Sequence, residues 1–299
     1  MSFYEEIAAN KRRTVLLIFF FLVFIIFIGL VLGVYWGNAY GGLILAIIGG
    51  GIYFLISYYS GDSMILTMTG AKEAKKPEYT QLINVVEGLM IAAGLGRMPK
   101  VYVIEDTALN AFATGRNPEN SSIAVTTGLL KKLNKLELEG VIAHEMSHIK
   151  NYDIRVMMLA SVMVGLSLLL SDFLLRSFLW GRGDNDRDSG QLTIVFIVLG
   201  LVLAILAPLI GELMKLAISR KREFLADASG AMLTRYPKGL ADALRKIKND
   251  PDPLVDRANR ATAHLFISSP FRKEKKSFMK NLFSTHPDID ERIKKLDEM

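Results

Sequence analysis

The sequence predicts a mostly helical α+β protein anchored in a membrane, and three observations carry that prediction. No residue from 14 to 61 is charged, whereas a bilayer core needs only about 20 apolar residues per spanning helix. The 299 residues are 51% hydrophobic, too apolar for a disordered chain. Downstream, polar segments carry both short β-branched runs and apolar positions at helical spacing, the mixture expected of an α+β domain.

The elements follow in order. Lys11, Arg12 and Arg13 precede an apolar run over residues 14–34. It is longer than the about 7–15 residues of a signal-peptide core and has no Ala-x-Ala site, so it reads as a retained anchor helix. Trp36, Gly37, Asn38, Gly41 and Gly42 form a turn, and a second span over residues 43–59 returns the chain. Basic charge before the first span and none in the turn predicts a cytoplasmic N-terminus. Residues 101–104 and 122–126 read as strands. Asn134 followed by Glu137 is a capping-box signal, opening a helix with Leu138, Val141, Ile142, Met146 and Ile149 at helical spacing. Two further hydrophobic segments, 156–170 and 192–210, flank a Gly/Asp/Arg-rich loop at 181–190. As a spanning pair or as a re-entrant hairpin, they return the chain to the cytoplasmic side. The remainder is polar and helical, with a Lys-rich stretch at 271–280 that reads as a solvated loop, the alternative being a membrane-surface contact.

Bulk composition narrows the chemistry. The net charge of +6, from 36 basic and 30 acidic residues, is too small an excess to argue for nucleic acid, and no nucleic-acid motif is present. Basic residues beside membrane helices face anionic lipid instead. The chain has no cysteine, which excludes disulfides and thiolate metal sites. A metal site must therefore draw on carboxylates and four histidines, His144, His148, His264 and His286.

Two of these fall in His144-Glu145-Met146-Ser147-His148. At i, i+4 on a helix both imidazoles project from one face and can hold one zinc ion, while Glu145 sits beside the metal to take a proton from bound water. Random order of this composition yields the pattern roughly 0.003 times per sequence; the bland alternative is two histidines on a buried helix face. A catalytic zinc needs a third protein ligand. Glu223 and Asp227 lie at i, i+4 around Phe224, Leu225 and Ala226: Glu223 is a candidate ligand and Asp227 a candidate hydrogen-bond partner for the far nitrogen of a zinc histidine. A solvated acidic face is the alternative, against which the intervening apolar residues argue. His286, before Pro287, is a candidate donor to a tetrahedral oxyanion, or a structural cap on a C-terminal helix. His264 reads as a local packing residue.

These motifs resemble those of the HtpX-type membrane metallopeptidases, relatives of the CAAX-prenyl endopeptidases among the thermolysin-like, Glu-ligated zinc peptidases. The resemblance rests on His144 to His148 continuing to Asn151 and Asp153, on Ser219 to Asp227, on Asn110 to Gly115, and on Thr285-His286-Pro287 with Arg292. One departure is Asp288, where a second proline is expected. The resemblance implies a zincin-like metalloprotease domain with two N-terminal transmembrane helices and a second hydrophobic hairpin inserted in it. Residues 1–61 would hold the tail and first two spans, 62–155 the first part of the cytoplasmic catalytic domain, 156–211 the second hydrophobic pair, and 212–299 the second part with the third ligand. It further implies one Zn2+ per chain on His144, His148 and Glu223, Glu145 as the catalytic base and Asp227 behind a ligand. Asn110, Ala111, Phe112 and Ala113 would form an exposed edge strand that pairs with an extended peptide.

The expected function is hydrolysis of peptide bonds in membrane proteins or their cytoplasmic loops, as quality control of misfolded membrane proteins in a bacterial-type cell membrane. One rival is an intramembrane site-2-type protease, against which Lys131, Lys132, Lys135 and Glu137 before the motif argue. Another is a non-catalytic zinc-binding scaffold or chaperone, which would not need Glu145.

Overall fold

The structure, a computed structural model, describes residues 3–35, 37–180, 220–250, 262, 265–267 and 287–299. It opens with two long antiparallel helices, α1 (Phe3–Tyr35) and α2 (Ala39–Met68). Asn38 caps α2 by accepting from the Gly41 N–H at 2.8 Å. Ala8–Leu30 within α1, and α2, are long and apolar enough to cross a membrane, and Ile44, Ile48, Ile52 and Leu55 of α2 face outward. The two helices meet backbone to backbone: a Cβ at Gly42 would stand 2.3 Å from the Gly29 carbonyl oxygen. Small residues bring membrane helices close in this way.

A four-stranded sheet follows, from β1 (Lys72–Glu73), β2 (Lys100–Ile104), β3 (Ala111–Asn117) and β4 (Asn120–Thr126), in the order β1-β2-β4-β3. β2 and β4 are parallel, the outer pairs antiparallel. Strand side chains alternate between faces, and here both faces are buried. Val101, Val103, Ala111, Ala113, Ile123 and Val125 point into one core with α3 (Thr80–Ala93) and α5 (Lys135–Lys150). Ile104, Phe112 and Ala124 point into a second core, made with Leu17 and Phe21 of α1, Ile65 and Leu66 of α2 and the start of α6 (Asp153–Trp180). The sheet thus joins the two apolar N-terminal helices to the polar domain. After β4 comes the short α4 (Thr127–Lys132); α7 (Arg220–Thr234), α8 (Pro237–Asn249) and α9 (Ile289–Asp297) pack around α5 and each other.

Both expected strands form, one residue longer in β2 and two in β4 at their N-terminal ends. The capping box at Asn134 and Glu137 is present in full. Two differences stand out. α2 runs past residue 61 to Met68, because Ile65 and Leu66 are core residues that continue the helix beyond the apolar run. The third hydrophobic segment begins as core: residues 156–164 of α6 are buried against α2 and the sheet, so their apolarity serves protein packing before any lipid contact. Its partner at 192–210, the loop at 181–190 and the stretch at 271–280 lie outside the described residues. Asp288 accepts from the Asp290 N–H at 2.8 Å and so caps α9, a role the expected proline cannot fill.

Candidate metal centre

The site is built on α5 and α7. From Glu137 to Ile149 every residue of α5 except Glu139 is buried, because the helix is enclosed by α3, α7, α8 and β3. His144 and His148, one turn apart, bring their Nε2 atoms to 3.2 Å. α7 crosses this turn closely, with a Cβ at Gly230 only 3.0 Å from the His144 backbone nitrogen. Two turns earlier on the same helix, Glu223 places Oε2 3.8 Å from His144 Nε2 and Oε1 3.6 Å from His148 Nε2. Glu223 is completely buried.

Each imidazole is held from behind by a carboxylate. His144 Nδ1 stands 2.9 Å from Asp227 Oδ1, and His148 Nδ1 2.9 Å from Asp153 Oδ2. A hydrogen bond from each Nδ1–H to its aspartate leaves a lone pair on each Nε2. Two such lone pairs 3.2 Å apart, facing a buried carboxylate, repel one another unless a cation lies between them. The edges of this triangle match a tetrahedral metal: bonds of about 2.1 Å imply ligand separations of about 3.4 Å. The donor set, two imidazole nitrogens and a carboxylate with no thiolate, suits zinc.

Arginines complete the support. Arg292 of α9, fully buried, donates from Nε to Asp227 Oδ2 at 2.9 Å and from NH2 to Asp227 Oδ1 at 2.7 Å. Its NH1 lies 3.7 Å from Glu223 Oε2. Burial opposes the charged guanidinium, but Asp227 first, then Glu223 and Glu145, push its pKa above the ordinary arginine value. Burial likewise opposes the Asp227 carboxylate, yet the Arg292 charge and the His144 hydrogen bond hold its pKa down at about 2. Arg222, next to Glu223, pairs with Asp153 Oδ1.

The residues singled out from sequence are distributed as follows. His144, His148 and Glu223 offer ligand atoms within 4.8 Å of one another. Glu145 is buried, 3% exposed, next to the first of them, and Asp227 stands behind His144. Asn110 leads into β3, the outermost strand of the sheet, which packs against α5. The edge is not exposed as expected: Asn110, Ala111, Phe112 and Ala113 are all buried. α6 covers them, Phe266 stacks edge-on to Phe112 at 5.2 Å, and the Ile267 N–H donates to the Ala111 carbonyl at 3.0 Å. His264 and His286 lie outside the described residues. Sequence reasoning missed the support of His148 by Asp153, which had entered only as part of a motif, and the roles of Arg222 and Arg292. A signal for the first was present in an aspartate five residues after the second histidine.

Comparison with known proteins agrees with this geometry. Residues 77–299 match the model of peptidase family M48. A protein named protease HtpX homolog from Dictyoglomus thermophilum is 48% identical over 99% of this chain and 94% of its own length. Proteins of the same name from Listeria monocytogenes serotype 4a and Thermoanaerobacter pseudethanolicus are 43% and 44% identical, each over 99% of this chain and over 99% and 97% of their own. The crystal structure of S. mikatae Ste24p shares the fold, with a TM-score of 0.51 at 18% identity over 98% of this chain and 67% of that one.

Proposed function

The chain belongs to peptidase family M48, and from that premise we propose that it is an integral-membrane zinc endopeptidase with its active site facing the cytoplasm. The observation that carries the reading is the convergence of His144, His148 and Glu223, each imidazole backed by an aspartate. His144, His148 and Glu223 would hold the ion. Bound there, zinc supplies Lewis acidity, lowering the pKa of a water ligand and polarising the scissile carbonyl.

The protein's own groups do the rest. Asp227 and Asp153 keep the ligating tautomers in place. Glu145 accepts a proton from the attacking water and delivers it to the leaving amine nitrogen. One water is consumed, the C–N bond breaks, and a carboxylate and an amine leave. The basic residues of α1 that precede its apolar run and the paired spans argue for the cytoplasmic orientation. Proximity of the sheet to the membrane helices favours membrane proteins and their loops as substrates, and the HtpX resemblance suggests proteolytic quality control. A site within the bilayer is disfavoured by the polar start of α5 and by a Glu, rather than Asp, in the third ligand position. In β3, alternate ladder hydrogen bonds turn the Ala113 N–H and C=O away from β4, which suits them to pair with an extended substrate if the 265–267 segment gives way.

The test uses the full chain purified in detergent with chelator and then reloaded with zinc. Glu145→Gln is expected to retain one zinc and to lose cleavage of an unfolded substrate by about 100-fold or more. Equal cleavage by both proteins would remove Glu145 from the mechanism. Zinc binding without cleavage by wild type would favour a scaffold.

A further inference from the structure

Asn10 belongs to the basic end of α1, just before the uncharged membrane run, yet it is only 1% exposed. Its amide nitrogen donates twice into the corner between α5 and α6: to the Asn151 carbonyl at 2.8 Å and to Asp153 Oδ1 at 2.7 Å. Asp153 is the residue whose other oxygen takes His148 Nδ1 at 2.9 Å. Asn10 therefore stands one carboxylate away from a proposed metal ligand, although 138 positions separate it from His148 in the chain (148 less 10).

The corner needs this support. α5 ends at Asn151, and the backbone reverses through Tyr152 at a φ of 61°, an unusual conformation for a bulky residue. The Tyr152 ring is flanked by Lys11 of α1 at 5.4 Å and by Arg155 at 5.0 Å. Thr14, also buried, donates its hydroxyl to the Asn10 carbonyl at 2.9 Å. Asp153 thus joins four helices: Asn10 of α1 and Arg222 of α7 reach Oδ1, His148 of α5 reaches Oδ2, and Asp153 itself begins α6. Of these partners, only Asn10 comes from a membrane-crossing helix near its end.

We propose that Asn10 is a positioning residue of the metal centre, through which the first membrane helix holds the Asp153 carboxylate that orients His148. The proposal rests on the metallopeptidase reading. Without the Asn10 amide, the carboxylate keeps Arg222 but loses the donor that sets its rotation about the α6 start, and His148 loses a fixed partner. Loss of a residue behind a metal ligand typically weakens metal affinity about 10–100-fold.

The experiment uses full-length protein in detergent, with zinc affinity read by competition with a chromophoric chelator and ligand geometry by the visible spectrum of the Co(II) form. Asn10→Leu, close in volume but without donors, is expected to weaken zinc binding about tenfold and to change the Co(II) bands. Thr14→Val, which removes the hydroxyl bonded to the Asn10 carbonyl within α1 without touching Asp153, is expected to keep both at wild-type values. Asn10→Ser, smaller and with a single donor, supplies a second reading should Asn10→Leu fail to fold. Wild-type affinity and an unchanged Co(II) spectrum in a folded Asn10 variant would overturn the inference and leave Asn10 as a tie between helices. A wild type that neither binds zinc nor cleaves would overturn the peptidase reading and this inference together.

Discussion

Arg292, on the last helix, grips Asp227 with two nitrogens, Nε on Oδ2 at 2.9 Å and NH2 on Oδ1 at 2.7 Å, and the same Oδ1 meets His144 Nδ1 at 2.9 Å. A proposed metal ligand on α5 is thereby tied through α7 to α9. The pair is also a folding constraint, because neither charge reaches water: both residues are no more than 2% exposed. A bidentate guanidinium–carboxylate contact has the geometry that makes such burial tolerable.

Asp227→Asn therefore has two expected effects. It leaves the Arg292 charge buried without its full partner, which costs about 3–5 kcal/mol when a buried pair is broken. It also removes the strong acceptor behind His144, lowering zinc affinity about 10–100-fold. Urea unfolding of the metal-free protein measures the first and chelator competition the second. A variant with unchanged unfolding midpoint would contradict the structural role given to the pair.

Acid stability should carry the same signature. The Asp227 pKa lies at about 2 in the folded protein, below its ordinary 3.8. The unfolded chain therefore takes up the proton first as pH falls. The stabilisation is complete above pH 3.8 and is lost between there and about pH 2, amounting to about 2 kcal/mol at 1.36 kcal/mol per pKa unit. Denaturant titrations of metal-free protein across this window should show that loss in wild type and not in Asp227→Asn. Parallel slopes in the two proteins would place the titration elsewhere.

Gly230 should be sensitive for a different reason. A Cβ there would sit 3.0 Å from the His144 backbone nitrogen and 3.2 Å from the Ala143 carbonyl carbon, and helix backbone does not yield as a side chain does. Gly230→Ala is expected to push α7 from α5, carrying Glu223 away from the imidazoles, with a loss of about 1–3 kcal/mol from overpacking. Zinc affinity should fall together with the unfolding free energy. A variant destabilised to this degree but with intact affinity would show that α7 yields without moving its ligand.

What the sequence made legible follows from how far each relationship extends along the chain. His144, Glu145 and His148 lie within five consecutive residues, where helix periodicity alone sets their relative positions. Glu223 and Asp227 were recoverable as a pair for the same reason, although their docking against α5 depends on Gly230, whose close approach leaves no local pattern. Asp153 was harder: it reaches back to His148 only because the chain turns at Tyr152 with positive φ, which spacing does not encode. Asn10 was beyond reach as a functional residue and Arg292 entered only as part of a motif, since their contacts with Asp153 and Asp227 span 143 and 65 positions and a lone Asn or Arg near a helix end ordinarily reads as surface. The cover over β3 was likewise hidden, because it comes from α6 and from residues 265–267, which are distant in sequence.

Removal of the metal should reverse the role of Glu223. With a cation between it and the imidazoles, the carboxylate is compensated; without one, it is a fully buried charge whose cationic support includes Arg292 NH1 at 3.7 Å. Desolvating a charge is costly unless it is paired and hydrogen-bonded. Wild type should therefore gain stability on zinc loading, about 4 kcal/mol when free zinc is 1,000-fold above Kd. In Glu223→Gln this gain should nearly vanish, while the metal-free variant should be no less stable than metal-free wild type, because an amide of the same shape carries no charge to desolvate. Thermal unfolding of both proteins with chelator and with zinc gives the four values required. A zinc-dependent gain in Glu223→Gln equal to that of wild type would remove Glu223 from the ligand set and leave the two histidines to find a third partner elsewhere.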